Sequence, residues 1–203
     1  MDYHIPLLPG ETYHIFSHVV GSEQLFRCHG NYEIFLQRYY KHILPVAETF
    51  TWNLLPNHFH FLIRVLPEEP LIQHYIKKKS LIPDVAMLPD FVMEQFSNWL
   101  NSYAKTYNLK YQRRGALFVD YLKRVEIASD HQFTATVLYI NNNAQHHGIC
   151  NHFDDWEWCG YHELAGTMPT PLLRDEVLNW FGGFARFKQS HQSQPVRLPI
   201  FMV

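Results

Sequence analysis

Pro56-Asn57-His58-Phe59-His60-Phe61-Leu62-Ile63-Arg64-Val65 decides how this chain is read. Phe59, Phe61, Ile63 and Val65 recur at every second residue, the period of a half-buried strand, and define a core face. The opposite face carries His58 and His60, two imidazoles projecting side by side from a rigid backbone. Each neutral imidazole offers one nitrogen lone pair, so the pair is a start on a divalent-metal site. The chain has 14 His, so a chance pair on the polar face of a strand is an equally open reading. A site needs a third ligand and a nucleophile.

Upstream, Ala47 to Leu55 alternates as well, with Phe50, Trp52 and Leu54 on one face and Thr49, Thr51 and Asn53 on the other. Pro56-Asn57 supplies a turn, and the two strands read as an antiparallel hairpin. Tyr13 to Val20 is apolar and β-branched enough for a first strand, closed by Gly21-Ser22. Asn31 caps an expected helix through Leu44, which Pro45 follows. Strand, helix, strand, strand is the beginning of a split-βαβ sheet.

Downstream, Leu71 to Lys79 reads as a short helix, and Asp90 to Asn108 as a strong one with a broad apolar stripe. Tyr121 to Ile127 is an expected fourth strand. Ser129 or Asp130 caps a helix over His131 to Gln145, and Gly148 stops it. The aromatic segment Phe153 to Trp158, with Tyr161, is expected to pack back on the domain. A further helix is expected over Leu173 to Phe187, before a polar Gln/Ser stretch that runs to Val203. The expected fold class is α+β, a central antiparallel sheet of about four to five strands with helices packed on it.

Composition narrows the function. With 203 residues, 47% hydrophobic and 16% aromatic, the chain can bury a full core as one ordinary domain. No segment approaches the run of about 20 apolar residues that a membrane span needs. Met1 to Pro6 has neither the basic nor the apolar region of a leader. Cys28, Cys150 and Cys159 fit reduced thiols in a cytoplasm. The net charge is −2, with 17 Lys+Arg against 19 Asp+Glu, so any nucleic-acid partner must be held by local patches.

On the helix over His131 to Gln145, Tyr139 and Asn143 stand four residues apart and share a face. If that face lies over the His strand, the Asn143 amide oxygen is a third metal ligand and Tyr139 stands beside the metal. A phenol titrates near pH 10 and needs assistance as a nucleophile, which a metal polarising a phosphate supplies. The other reading of the same spacing is a core tyrosine with a hydrogen-bonded hydroxyl.

Tyr13-His14-Ile15-Phe16, followed by Pro56 to Ile63, resembles the single-tyrosine His-hydrophobic-His (HUH) transposases, and among them the REP-associated tyrosine transposases. Arg114-Gly115-Ala116-Leu117-Phe118 is similar to that family's R.G.LF run, and Tyr121-Leu122-Lys123-Arg124-Val125 to its RFK..V strand. Tyr139-Ile140-Asn141-Asn142-Asn143 matches its YI..N helix, and Asp155 to Tyr161 its DWPWSSY ending. The matching pieces keep their order from Tyr13 to Tyr161.

The resemblance implies a ferredoxin-like HUH domain, placed at residues 1–165; residues 166–203 read as a C-terminal extension with no assigned role, expected to pack on the same domain. It implies a transposase-like enzyme of the bacterial cytoplasm, monomer or homodimer, acting on single-stranded DNA beside a hairpin. Tyr139 would attack a backbone phosphate, form a 5′-phosphotyrosine and release a 3′-hydroxyl. His58, His60 and Asn143 would hold Mg²⁺ or Mn²⁺. The sequence departs from the pattern in lacking a basic balance, in Leu122 within the RFK run, and in Ala144-Gln145, which loses a proline. A domesticated relative that binds hairpins without cutting is the second reading.

Lys77, Lys78, Lys79, Arg113, Arg114, Lys123 and Arg124 are candidates for DNA phosphates, or else a solvated surface. Lys123 and Arg124 project to opposite faces of their strand. Tyr111 and Trp99 are stacking or core residues. His146, His147, Cys150, His152 and Cys159 match no common zinc spacing. A water-activating metal hydrolase would need a carboxylate base, and Glu48, Asn53 and Asn57 make the neighbourhood mostly neutral.

Overall fold

A computed structural model of the chain describes residues 3–119 and 122–193. Tyr121 and residues 194–203, most of the polar stretch, lie outside the described residues. Strands β1 (Thr12–His18), β2 (Ala47–Leu55), β3 (His58–Val65) and β4 (Lys123–Glu126) form one antiparallel sheet in the order β2-β3-β1-β4. The helices are α1 (His29–Ile43), α2 (Glu68–Lys79), α3 (Leu88–Lys110), α4 (Asp130–His146), α5 (Tyr161–Ala165), α6 (Arg174–Trp180) and α7 (Phe184–Gln192). Among the described residues the fold is α+β, a four-stranded antiparallel sheet with seven α-helices packed on it. Among the described residues no helix is long and apolar enough to cross a membrane.

The period-two pattern of β3 sorts the layers. Phe59 and Phe61 meet Phe35 and Tyr39 of α1 and Trp99 of α3, with ring centroids 4.1–5.5 Å apart. His58 and His60 face the other way, toward α4. Trp99, a stacking candidate, is a core residue whose indole donates to Phe35 O.

The hairpin turns at Pro56-Asn57 as expected, but the alternation along β2 is broken. The register slips between Thr49 and Thr51, which sends these two residues to opposite faces. Thr49 Oγ1 lies 2.7 Å from the Tyr39 hydroxyl of α1, whereas Thr51 Oγ1 donates to Asn141 Oδ1 of α4. Phe50, the extra residue, crosses to meet Phe133 of α4 edge-on. A bulge adds one residue to one strand and inverts the parity beyond it.

Two helix expectations are corrected. Asn31 lies inside the first turn of α1, not at its cap; Cys28 is the extended N-cap residue. Asn31 Oδ1 reaches back to accept from Arg27 N and the Tyr111 hydroxyl. The single helix expected over Leu173 to Phe187 is two, α6 and α7. Gly182 and Gly183 separate them at φ +73° and +108°, in the left-handed region that glycine adopts without strain.

The aromatic segment closes the β2 edge of the sheet. Leu54 N donates to Trp158 O, Gly160 N to Trp52 O and Leu173 N to Thr49 O, at 2.8–3.0 Å. A side chain at Gly160 would put its Cβ 2.8 Å from Thr51 Oγ1 and 3.0 Å from Trp52 N, so only glycine allows this approach. Trp158 stacks on Tyr32, and the Trp156 indole donates to Leu54 O.

Candidate active site

β1 and β3 build the floor of the site. Phe16 lies directly opposite His60, and His18 opposite His58. His14, two residues before Phe16, shares their face and lies diagonally from His60. His14, His58 and His60 are all buried. Desolvation lowers the His14 and His58 pKa values to about 3 and holds His60 well below the usual imidazole value, so all three are neutral near pH 7.

Hydrogen bonds then fix the protons. His58 Nδ1 lies 2.7 Å from Asn57 Oδ1, an oxygen that only accepts. The shorter of the two His58 contacts assigns the proton to Nδ1 and leaves a lone pair on Nε2. That lone pair faces Asn143 Oδ1, a second acceptor, at 3.4 Å. His60 Nδ1 is 2.9 Å from His14 Nε2, while His60 Nε2 is buried with no hydrogen-bond partner.

Helix α4 forms the roof, begun by Ser129, whose Oγ accepts from Gln132 N. Two buried contacts to β2 set its height over the sheet. Thr51 Oγ1 donates to Asn141 Oδ1 at 2.6 Å, and Asn53 Nδ2 donates to Ile140 O at 2.7 Å. From α7, His191 Nε2 meets Asn141 Nδ2 at 2.9 Å. Residues 140 and 141 are thus pinned, and the helical repeat carries Tyr139 and Asn143 over the His strand. The Tyr139 ring stands edge-on to His60 and His14, with centroids 5.5 and 5.9 Å away. Burial pushes its phenol pKa up, and the Asn143 amide draws it part of the way back.

These donors fit a divalent cation. With the His58 proton on Nδ1, His58 Nε2 and Asn143 Oδ1 are two lone-pair donors 3.4 Å apart, and Asn143 Nδ2 is buried without a partner. His60 Nε2 and Asn53 Oδ1, on directly opposed residues of β3 and β2, are buried polar atoms without partners. Buried polar atoms left unpaired beside a polar cluster point to an absent water or ion. Among the described residues no three His, Cys, Asp or Glu side chains converge as a metal set. His146, His147, Cys150, His152 and Cys159 therefore form no zinc centre; Cys159 instead packs against Asn141.

A cleft of about 460 Å³ opens beside this centre, lined by His18, Asn57, His58, His147 and Gln24 among others. Its carboxylate, Glu23, is held by Arg113 at 2.8 Å. Glu48 is likewise bound to Arg64. Neither carboxylate is free to activate water at the His pair.

The basic candidates are scattered. Lys78 bonds Gln95, Lys79 pairs with Glu94 at 2.8 Å, and Lys77 and Arg114 are exposed. Arg113 ties Glu23, Asn108 and the carbonyls of Gly115 and Ala116 together. Arg124 is buried on the α3 side, where it donates to the carbonyls of His4, Ile5 and Leu122. Lys123, on the opposite face, approaches the site: its Nζ lies 5.8 Å from the Phe16 ring, which stacks on His60. Tyr111, the other stacking candidate, lies beneath the Arg27 guanidinium and hydrogen bonds to Asn31.

Sequence reasoning grouped Tyr139, His58, His60 and Asn143, and the structure brings these four together. It did not single out His14, His18 or His147 as part of the cluster. The signal for His14 and His18 was their period-two spacing on β1, which becomes informative only once the register against β3 is known.

The chain is similar to the solved structure of a REP-associated tyrosine transposase bound to a REP hairpin. The two share 16% identity over 80% of this chain and 84% of the other, with a TM-score of 0.59. The likeness is one of fold. No protein-family model and no curated protein match the chain.

Proposed function

We propose that this chain is a metal-dependent, single-stranded DNA endonuclease and strand transferase that cuts beside a hairpin and uses Tyr139 as nucleophile. One observation carries the reading: the His58 Nε2 and Asn143 Oδ1 acceptors face each other beside a tyrosine on the same helix as Asn143. The fold likeness to a hairpin-bound transposase supports the choice of DNA.

His58, His60 and Asn143 would hold Mg²⁺ or Mn²⁺, which when bound supplies Lewis acidity to a non-bridging phosphate oxygen. The cleft beside His58 takes the strand, and Lys123 at the rim takes a neighbouring phosphate. Tyr139 Oη bonds to phosphorus as the bond from phosphorus to the 3′ oxygen breaks. The phenolic proton leaves to solvent, and the departing 3′ oxygen gains one. Burial raises the phenol pKa, so the hydroxyl is protonated before the strand binds. The ester bond to Tyr139 conserves the phosphodiester energy, so a 3′-hydroxyl can reverse the step on another strand without ATP.

The alternative is a hairpin-binding protein that no longer cuts. It is favoured by the acidic balance and by the number of cations bound within the chain. End-labelled single-stranded hairpins incubated with Mn²⁺ and wild type, Tyr139→Phe or His60→Ala separate the readings on a denaturing gel. A protein-linked band from wild type alone supports the proposal. Cleavage that persists in Tyr139→Phe assigns water as nucleophile. A hairpin-specific shift without cleavage assigns the binding role.

A further inference from the structure

We infer that His14 is a positioning residue that holds the His60 ring by its Nδ1, so that Nε2 is turned toward the site. The inference rests on the proposed role of His60 as a metal ligand. His14 is fully buried in the middle of β1, and its Nε2 lies 2.9 Å from His60 Nδ1. The ring centroids lie 5.1 Å apart with 24° between the planes, an edge-to-edge arrangement that suits the hydrogen bond. His60 Nδ1 has no other hydrogen-bond partner among the described residues, so this contact is what distinguishes the ring from its flipped orientation.

The contact also bears on the proton. Two neutral imidazoles sharing one hydrogen bond have two arrangements. In one, His60 Nδ1–H donates to His14 Nε2 and His60 Nε2 is bare. In the other, His14 Nε2–H donates and His60 Nε2 carries a proton that blocks ligation. Each leaves one buried N–H and one buried lone pair without a partner, at His14 Nδ1 and His60 Nε2. A cation at His60 Nε2 selects the first arrangement, because it satisfies the lone pair there. His14 is then the acceptor that a metal-bound imidazole requires at its second nitrogen.

β1 thus contributes to a site whose other residues come from β3 and α4. Phe16, directly opposite His60, stacks on its ring at 5.6 Å but offers no polar atom. His14 reaches it from the diagonal position, where only a long side chain can do so.

The test combines a metal-free readout with a binding measurement. In ¹⁵N-labelled wild type without metal, a through-hydrogen-bond coupling should connect His14 Nε2 and His60 Nδ1. Mn²⁺ affinity, read by electron paramagnetic resonance, should fall about 10–100-fold in His14→Leu, which cannot accept a hydrogen bond. His14→Gln places an amide oxygen near His14 Nε2 and should recover affinity to within a few-fold. Absence of the coupling, equal Mn²⁺ affinity in His14→Leu and wild type, or a loss in His14→Gln as large as in His14→Leu overturns the role of His14 alone. A wild type that shows the coupling but binds no Mn²⁺ overturns the metal reading, and with it the positioning of a ligand.

Discussion

His58 Nε2 and Asn143 Oδ1 face each other at 3.4 Å, one from the second strand of a hairpin and the other from a helix 85 residues later. With the His58 proton on Nδ1, against Asn57 Oδ1, neither facing atom has a hydrogen to offer. A cation between them would convert a repulsion into two bonds. Mn²⁺ at a hundred times its dissociation constant would then add about 2.7 kcal/mol of stability. For a chain of this size the melting temperature should rise by roughly 5–10 °C. Asn143→Leu, which removes the oxygen at similar volume, should show no such rise in a thermal scan. An equal rise in the variant would place the cation elsewhere.

Tyr139 packs its ring against His14 and His60, while its hydroxyl carries the proposed chemistry. Tyr139→Phe keeps the ring, and the loss of the hydroxyl should cost about 1 kcal/mol. The variant should melt within a few degrees of wild type and still shift a hairpin, yet form no protein-linked DNA. A covalent band from folded Tyr139→Phe would require a different nucleophile.

Lys123 and Arg124 are adjacent in sequence and opposite in role. Arg124 is buried and donates to the carbonyls of His4, Ile5 and Leu122, so Arg124→Met should destabilise the fold by about 3 kcal/mol, read as a lower urea midpoint. Lys123 sits at the rim of the site over Tyr3 and Phe16. Lys123→Gln should leave the midpoint nearly unchanged and weaken hairpin binding, reducing the slope of log affinity against log salt by about 1. An unchanged slope would remove Lys123 from the DNA contact.

Acid should unfold this protein early. Burial lowers the pKa values of His14 and His58 to about 3 and of His191 to about 4, against 6.5 for an ordinary imidazole. The unfolded chain takes up protons as pH falls through about 6.5, whereas the folded chain does not until pH nears its own lower values. The stability present above pH 6.5 is therefore lost as pH falls toward about 4 for His191 and about 3 for His14 and His58. Each of the three steepens the fall of stability with falling pH inside that window. Urea midpoints measured near pH 7.5 and near pH 5 should differ markedly, the lower value at the lower pH. Equal midpoints would mean that these rings are solvated in the native state.

Local pattern made much of this molecule legible. The β3 alternation assigned its two faces, Pro56-Asn57 marked the hairpin, and Ser129 with Gly148 bracketed the helix that carries Tyr139. These features depend on residues near one another in the chain, through strand period, turn geometry and helix capping. The bulge at Phe50 was not legible, because alternation reads the same until a partner strand shows which residue is unpaired. The split between α6 and α7 was signalled by Gly182-Gly183, but the apolar spacing on either side concealed it.

The sequence by itself determined the α+β class and put His58 and His60 on one side of a strand and Tyr139 and Asn143 on one side of a helix. Only the tertiary structure decided what lies between those sides. Strand register brought His14 diagonally onto His60, and the clasp of Thr51, Asn53 and His191 on α4 set Asn143 Oδ1 against His58 Nε2. The reason is physical. Periodicity fixes the direction of a side chain relative to its own backbone, whereas an interatomic distance depends on contacts between segments far apart in the chain.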